Sequence, residues 1–315
     1  MWKILVSGSI AYDYIMKFDG KFSEHILKDQ LENLNVGFTI SELQKSGWWT
    51  AHNIAYNLGL LWLKNDTIML AAVGKDFIQD ENLSKYVNYA NVLKDPDLFT
   101  PCAYITTDSY HNQITNFYPG AMMKAVNQHV PKWDIQYAII APNAKDAMLM
   151  HLKECHSNDI KCFFDPGQAM TLFSKEDLMQ ALENSTYLIC NEYEFWWILE
   201  KTWLQQHHII NMLEKIVITL GKNGASLLGK QWEVIISWVK VEDVIDPTWA
   251  GDSFRSWLLA GLAKGLDRED SAKMGNVVAS FVVASQGTLH HHFTREDVLK
   301  KFQETYDQNV YLGDI

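Results

Sequence analysis

Six short apolar runs, most of them containing β-branched residues, recur along this chain and alternate with stretches whose apolar positions have helical spacing. The runs are Ile4 to Ser7, Thr67 to Val73, Tyr137 to Ala141, Lys161 to Asp165, Tyr187 to Asn191 and Ile216 to Leu220. Helical patterns cover Ala51 to Leu63, Asp146 to Cys155, Leu178 to Glu183 and Asn191 to Lys201. Near-continuous apolar strands belong to sheets covered on both faces, and the helices between them supply the crossovers that parallel pairing needs. The expected fold is therefore α/β, a doubly wound and mostly parallel sheet. Two further stretches, about 12–44 and 100–120, alternate polar and apolar residues loosely and suit a small antiparallel β lid. No linker or internal repeat divides the 315 residues, so a single domain spanning 1–315 is expected.

With 48% hydrophobic residues, the chain can bury a full core. Its net charge of −11 argues against a nucleic-acid partner, which would require a basic face. No apolar run approaches the roughly 20 residues that span a bilayer, and Met1 to Val6 lead directly into a strand, so the cytoplasm is the expected compartment. Cys102, Cys155, Cys162 and Cys190 show no metal-binding spacing and read as reduced, buried thiols.

The segment from Asp246 to Arg255 carries the most chemistry. Pro247 and Thr248 stop the preceding strand and Gly251 opens a helix, whose unpaired first N–H groups form a site for phosphate oxygens. Asp252 lies within that field, where a carboxylate can take a proton from a hydroxyl while backbone N–H groups around Ala250, Gly251 and Asp252 stabilise a phosphoryl group in transfer. Upstream, Gly224 to Lys230 imitates a P-loop, but Gln231 stands where Ser or Thr is required and strand-like sequence follows, so a P-loop is rejected. His52 reads as a surface or capping histidine, and the run His290 to His292 as exposed.

The stretch around Asp252 resembles the D-x-x-G-A-G-D signature of the ribokinase-like, or PfkB, family of sugar and nucleoside kinases, with Trp249 in place of the first Gly. The resemblance extends over nearly the whole chain and is strongest to the bacterial adenosine kinase branch. It rests on Gly8 to Asp13, Met16 to Phe18, Phe22 to Glu24, Phe117 to Met122, Asn191 to Glu194 and Thr219 to Ala225. It implies an ATP-dependent kinase acting on the 5′-hydroxyl of adenosine, with Asp252 as base. Asp13, Asn53, Phe117 and Gln168 would hold the nucleoside, with Tyr104 a second aromatic candidate. Asn191 and Glu194 would organise hydrated Mg²⁺, a role compatible with their also forming a helix capping box. Thr219, Gly221, Gly224 and Gly287 would line the ATP side. The implied partner is a small nucleoside or sugar, with no membrane, and the lid could either close over substrate or form a homodimer interface.

The chain departs from the family in one direction. Of 12 tryptophans, Trp48, Trp49, Trp62, Trp203, Trp249 and Trp257 fall where relatives have Gly, and only 17 glycines remain against an average usage of ~7%. Two explanations stand. The codons are UGA, decoded as Gly in the source and written here as Trp, or the glycines have been lost and the protein is a catalytically impaired pseudokinase. A Trp forced into a left-handed or closely approached backbone position is expected to cost about 1–3 kcal/mol per site.

Overall fold

The computed structural model describes residues 2–26, 28–47, 50–61, 63–285 and 291–310, without the side chains of residues 28–30. Trp48, Trp49, Trp62, Gly287 and His290 lie outside the described residues. The N-terminal half comprises β1 (Lys3–Ser7), β2 (Tyr12–Lys17), α1 (Phe22–His25), β3 (Glu42–Gly47), α2 (Thr50–Leu60), β4 (Thr67–Leu70), β5 (Ala72–Val73), β6 (Leu93–Lys94), β7 (Cys102–Thr107) and β8 (Gln113–Tyr118). There follow β9 (Ile135–Ile140), α3 (Lys145–Ser157), β10 (Lys161–Phe164), α4 (Lys175–Glu183), β11 (Tyr187–Asn191), α5 (Glu192–Thr202) and α6 (Gln206–Met212). The chain continues through β12 (Lys215–Thr219), β13 (Ala225–Gly229), β14 (Trp232–Ile236), α7 (Ala250–Ala263), α8 (Arg268–Val283) and α9 (Arg295–Tyr306).

Eight strands form the main sheet in the order β14-β13-β12-β11-β10-β9-β1-β4. The six from β12 to β4 pair in parallel, and the β13–β14 hairpin adds an antiparallel edge. Strand periodicity divides the core between the two faces. Ile4, Val6, Ile139, Ile189 and Val217 pack with α2, α7, α8 and α9, whereas Leu5, Ala138, Ile140, Leu188 and Ile218 pack with α3 to α6. The all-apolar strands of the sequence are explained by these two buried layers.

A four-stranded second sheet, β3-β2-β7-β8, projects from the first. Its outer pairs are antiparallel, as expected of the lid, while the central pair, β2 and β7, is parallel. The hairpin after Gly224 runs into strand β13 with no helix, in keeping with the rejection of a P-loop there. All four cysteines are buried and unpaired.

Candidate active site

The chain leaves β1, reaches β4 on one side, and later places β9 on the other side of β1. Such a reversal opens a crevice at the carboxyl ends of the two diverging strands. A cleft of about 540 Å³ lies there, lined by Ser9 after β1, by Pro142 and Asn143 after β9, and by residues of the lid and of the start of α7.

The lid contributes its inner face. Asp13, Ala103, Ile105, Thr115 and Phe117 line the cleft, as alternation along paired strands dictates, since Asp13 and Phe117 both lie opposite Ala103. That alternation corrects the expectation for Tyr104. It belongs to the other face, where its ring stacks on Tyr14 at 4.9 Å. Gln168, in the turn after β10, lines the opposite wall with Ala169, Thr171 and Leu172.

Helix α7 begins at the cleft. Trp249 is its N-cap residue and Asp252 lies in its first turn, and both side chains line the cavity. The Ala250 N–H is directed at the Pro247 carbonyl at 3.3 Å, so of the three expected anion-site donors it is the one already engaged. The Gly251 and Asp252 N–H groups follow, in the turn that has no intrahelical acceptors. Burial raises the Asp252 carboxyl to about 6, opposed by Arg255 and by the Asn53 amide, with Asp165 adding to the rise. Asn53, expected to contact substrate, donates Nδ2 to Asp252 Oδ2 at 2.8 Å.

Asp165, at the end of β10, receives a fork from Arg255: Nε to Oδ2 at 2.5 Å and Nη2 to Oδ1 at 2.8 Å. Burial alone would lower the guanidinium; Asp165 outweighs it and holds Arg255 above its ordinary value. Glu194 is also in this electrostatic group, its carboxyl pushed up by burial and by Asp165 and pulled back by Arg255. Asn191 and Glu194 form a reciprocal capping box on α5, each bond at 2.8 Å. Among the described residues no group of three or more His, Cys, Asp or Glu could cage a metal. Thr219 ends β12, and the turn after it contains Gly221 at φ +55° and Gly224 at φ +93°. A Cβ on Gly224 would lie 2.0 Å from the Ile236 carbonyl, so this turn requires glycine.

Sequence reasoning missed several features. The Arg255–Asp165 pair joins residues 90 positions apart, although both flank recognisable strand and helix ends. Ser9 Oγ and Asn143 Nδ2 are buried at the cleft and have no hydrogen-bond partner among the described residues. The Asn143 carbonyl oxygen accepts from the Ala144 N–H at 2.8 Å, which fixes the amide as a donor. Two histidine expectations are corrected. His52 is fully buried in α2, its imidazole lowered to about 3 by desolvation, with Nε2 2.5 Å from the Tyr89 hydroxyl. His291 is buried against Asn57 at 3.0 Å, whereas His292 is exposed.

The tryptophans divide by backbone geometry. Trp203 is the C-cap of α5 at φ +61°, a left-handed position natural to glycine. Trp249 sits at φ −104° and Trp257 lies within α7, so the strain expected from a left-handed backbone is absent at both. Their bulk acts through space: Trp249 lines the cleft, and Trp257 is buried against Phe293 with its indole N–H unpartnered among the described residues.

The pfkB family carbohydrate kinase model matches residues 50–292. A nucleoside kinase of Methanocaldococcus jannaschii is 28% identical over 96% of this chain and 98% of its own, and its crystal structure superposes with a TM-score of 0.84. A Burkholderia thailandensis nucleoside kinase in complex with inosine is 33% identical, with a TM-score of 0.84 over 97% of this chain and 99% of its own. A ribokinase from Thermotoga maritima, at 18% identity and a TM-score of 0.74, shares the fold. Among the described residues no helix is long and apolar enough to cross a membrane. With its doubly wound sheet, its lid and a helix opening on Asp252, this chain belongs to the pfkB family of carbohydrate kinases, phosphotransferases acting on a hydroxyl of a sugar or nucleoside.

Proposed function

We propose that this kinase transfers the γ-phosphoryl group of ATP to the 5′-hydroxyl of a purine nucleoside, adenosine being the acceptor implied by the sequence resemblance. The observation carrying this reading is the Asp252 carboxylate at the mouth of α7, facing a cleft whose opposite wall offers Asp13 and Phe117. Asp13 suits a vicinal diol, because one carboxylate can accept hydrogen bonds from both ribose hydroxyls. Phe117 offers a flat face for a base, and Gln168 supplies a polar contact on the far wall. These groups would fix the nucleoside with its 5′-hydroxyl toward Asp252. Asp252 then takes the hydroxyl proton as the oxygen attacks the γ-phosphorus and the bond to the β-phosphate oxygen breaks, releasing ADP. The Gly251 and Asp252 N–H groups steady the charge on the transferred phosphoryl group.

Thr219, Gly221 and Gly224 bound the proposed ATP side, where the turn after β12 brings backbone close to the nucleotide. Asn191 and Glu194 fit a hydrated Mg²⁺ through its waters, because their side chains are fixed by the capping box and one carboxylate alone cannot strip the ion. Such an ion supplies charge neutralisation on the phosphates. Cytoplasmic purine salvage is the setting this reading implies.

The experiment is a panel of adenosine, inosine, cytidine, ribose and fructose with ATP and Mg²⁺, followed by ADP release. A purine nucleoside should exceed the free sugars in kcat/KM by at least about 10²-fold, since a missing base removes both stacking and positioning energy. Equal or better turnover of ribose or fructose would replace the nucleoside reading with that of a sugar kinase.

A further inference from the structure

Arg255 lies three residues after Asp252 in α7, which puts both side chains on one side of the helix. Its guanidinium is a planar fork with five N–H donors in fixed directions. Nε and Nη2 are taken by the two oxygens of Asp165. Nη1 lies beneath the opening turn: a Cβ placed on Gly251 would come within 2.7 Å of it. One rigid, buried cation thus touches the end of β10 on one edge and the anion-site turn of α7 on the other. Gly251 has two reasons to be glycine, approach of a phosphoryl group from outside and seating of the guanidinium from within.

The charges around this turn are unequal. Asp252 stands on α7, Asp165 after β10, Glu194 on α5 and Asp13 on the lid, while the side chain that meets Asp252 from α2 is the neutral Asn53. No Lys or Arg lines the cleft among the described residues. Arg255 is the cation that acts on Asp252, Asp165 and Glu194 together. An isolated buried carboxylate would protonate and cease to be a base.

We infer that Arg255 is a positioning residue for phosphoryl transfer: clamped by Asp165, it seats the first turn of α7 and balances the surrounding carboxylates, so that Asp252 faces the cleft as an anion. The inference rests on the proposed role of Asp252 as base. A fold staple alone would need the fork to Asp165 but no influence on Asp252, and this difference can be measured.

The Asp252 carboxyl is titrated by ¹³C NMR of aspartate-labelled protein, assigned by its loss in Asp252→Asn, in the wild type, Arg255→Gln and Arg255→Lys. Turnover of adenosine or inosine with ATP is measured in parallel. In Arg255→Gln, Asp252 should bind its proton about tenfold more tightly. At pH 7 kcat should fall tenfold or more, with nucleoside KM changing less than about threefold. Arg255→Lys should restore the proton affinity but not the full kcat, because a single ammonium cannot both fork to Asp165 and underlie Gly251. Unchanged proton affinity in folded Arg255→Gln overturns the inference. If that variant does not fold, the Arg255→Gln, Asp165→Asn double variant retains a hydrogen-bonding pair without charge. There Asp252 should still bind its proton more tightly, because Arg255 acts on it more strongly than Asp165 does, and an unchanged or weaker affinity has the same overturning force. A wild type that phosphorylates no nucleoside removes the functional reading instead, while the titration still decides whether Arg255 governs Asp252.

Discussion

At the scale of single residues, the site is a contest between burial and charge. Desolvation moves Asp252 toward neutrality, and Arg255 and Asn53 draw it back, leaving its ionisation near 6. That value suits a base working near neutral pH. Asp13, Phe117, Gln168 and Asp252 all line the cleft; the helix start after Pro247 and Thr248 singled out Asp252, whereas Asp13, Phe117 and Gln168 were singled out by the family resemblance. The Arg255–Asp165 fork was not legible, since only the fold brings those two positions together. Tyr104 was misread for a related reason: its letter identifies an aromatic ring, whereas its face follows from pairing register. Trp249 is the residue most at odds with catalysis. It lines the cleft at the start of α7, where the proposed transfer brings acceptor and phosphoryl group together. Trp249→Gly should therefore raise kcat/KM for a nucleoside by about tenfold or more, in keeping with the sensitivity of transfer to small displacements. An unchanged value would make the indole a tolerated part of the site, and native peptide masses across this segment would establish which residue the source organism inserts.

At the scale of elements, the signals that proved readable were strand runs and capped helix starts. Helix α8 lacked a clear stripe because Ser271, Asn276 and Ser280 are buried beside Met274, Val277 and Val278, so polar letters appear on its inward face. Asn276 is satisfied there by the Ser237 carbonyl at 3.1 Å, a partner distant in sequence. The lid strands were visible as alternation, but the parallel pairing of β2 and β7 depends on how the intervening chain returns. Helix α5 ends on Trp203, which is 82% exposed and in the left-handed region. Glycine there would relieve backbone strain and forfeit an exposed contact with Lys175, whose Nζ lies 3.8 Å from the ring centroid. Trp203→Gly should stabilise the protein by about 1 kcal/mol, seen as a higher denaturant midpoint at unchanged slope. A lower midpoint would mean that the indole packing outweighs the strain.

At the scale of the whole molecule, the order of strands creates the cleft. Placing β9 and β4 on opposite sides of β1 parts the crossovers, and the lid covers the opening with its inner face while the first turn of α7 enters from below. The two-sided core was legible in the sequence, since unbroken apolar strands imply two covering layers. The cleft itself was legible only through the family resemblance, because no local pattern reveals which strand ends diverge. The claim uniting these levels is that Asp252 takes the proton of a nucleoside hydroxyl. The most direct test is the pH dependence of kcat/KM for adenosine or inosine, measured on the wild type and on Asp252→Asn. A base must be ionised, so wild-type activity should rise with pH and level off above about 6, following the carboxyl of Asp252. Asp252→Asn should bind the nucleoside yet lose about 10²–10⁴ in kcat and lack that rise. Near-normal turnover in Asp252→Asn, with the acid limb retained, would contradict the account.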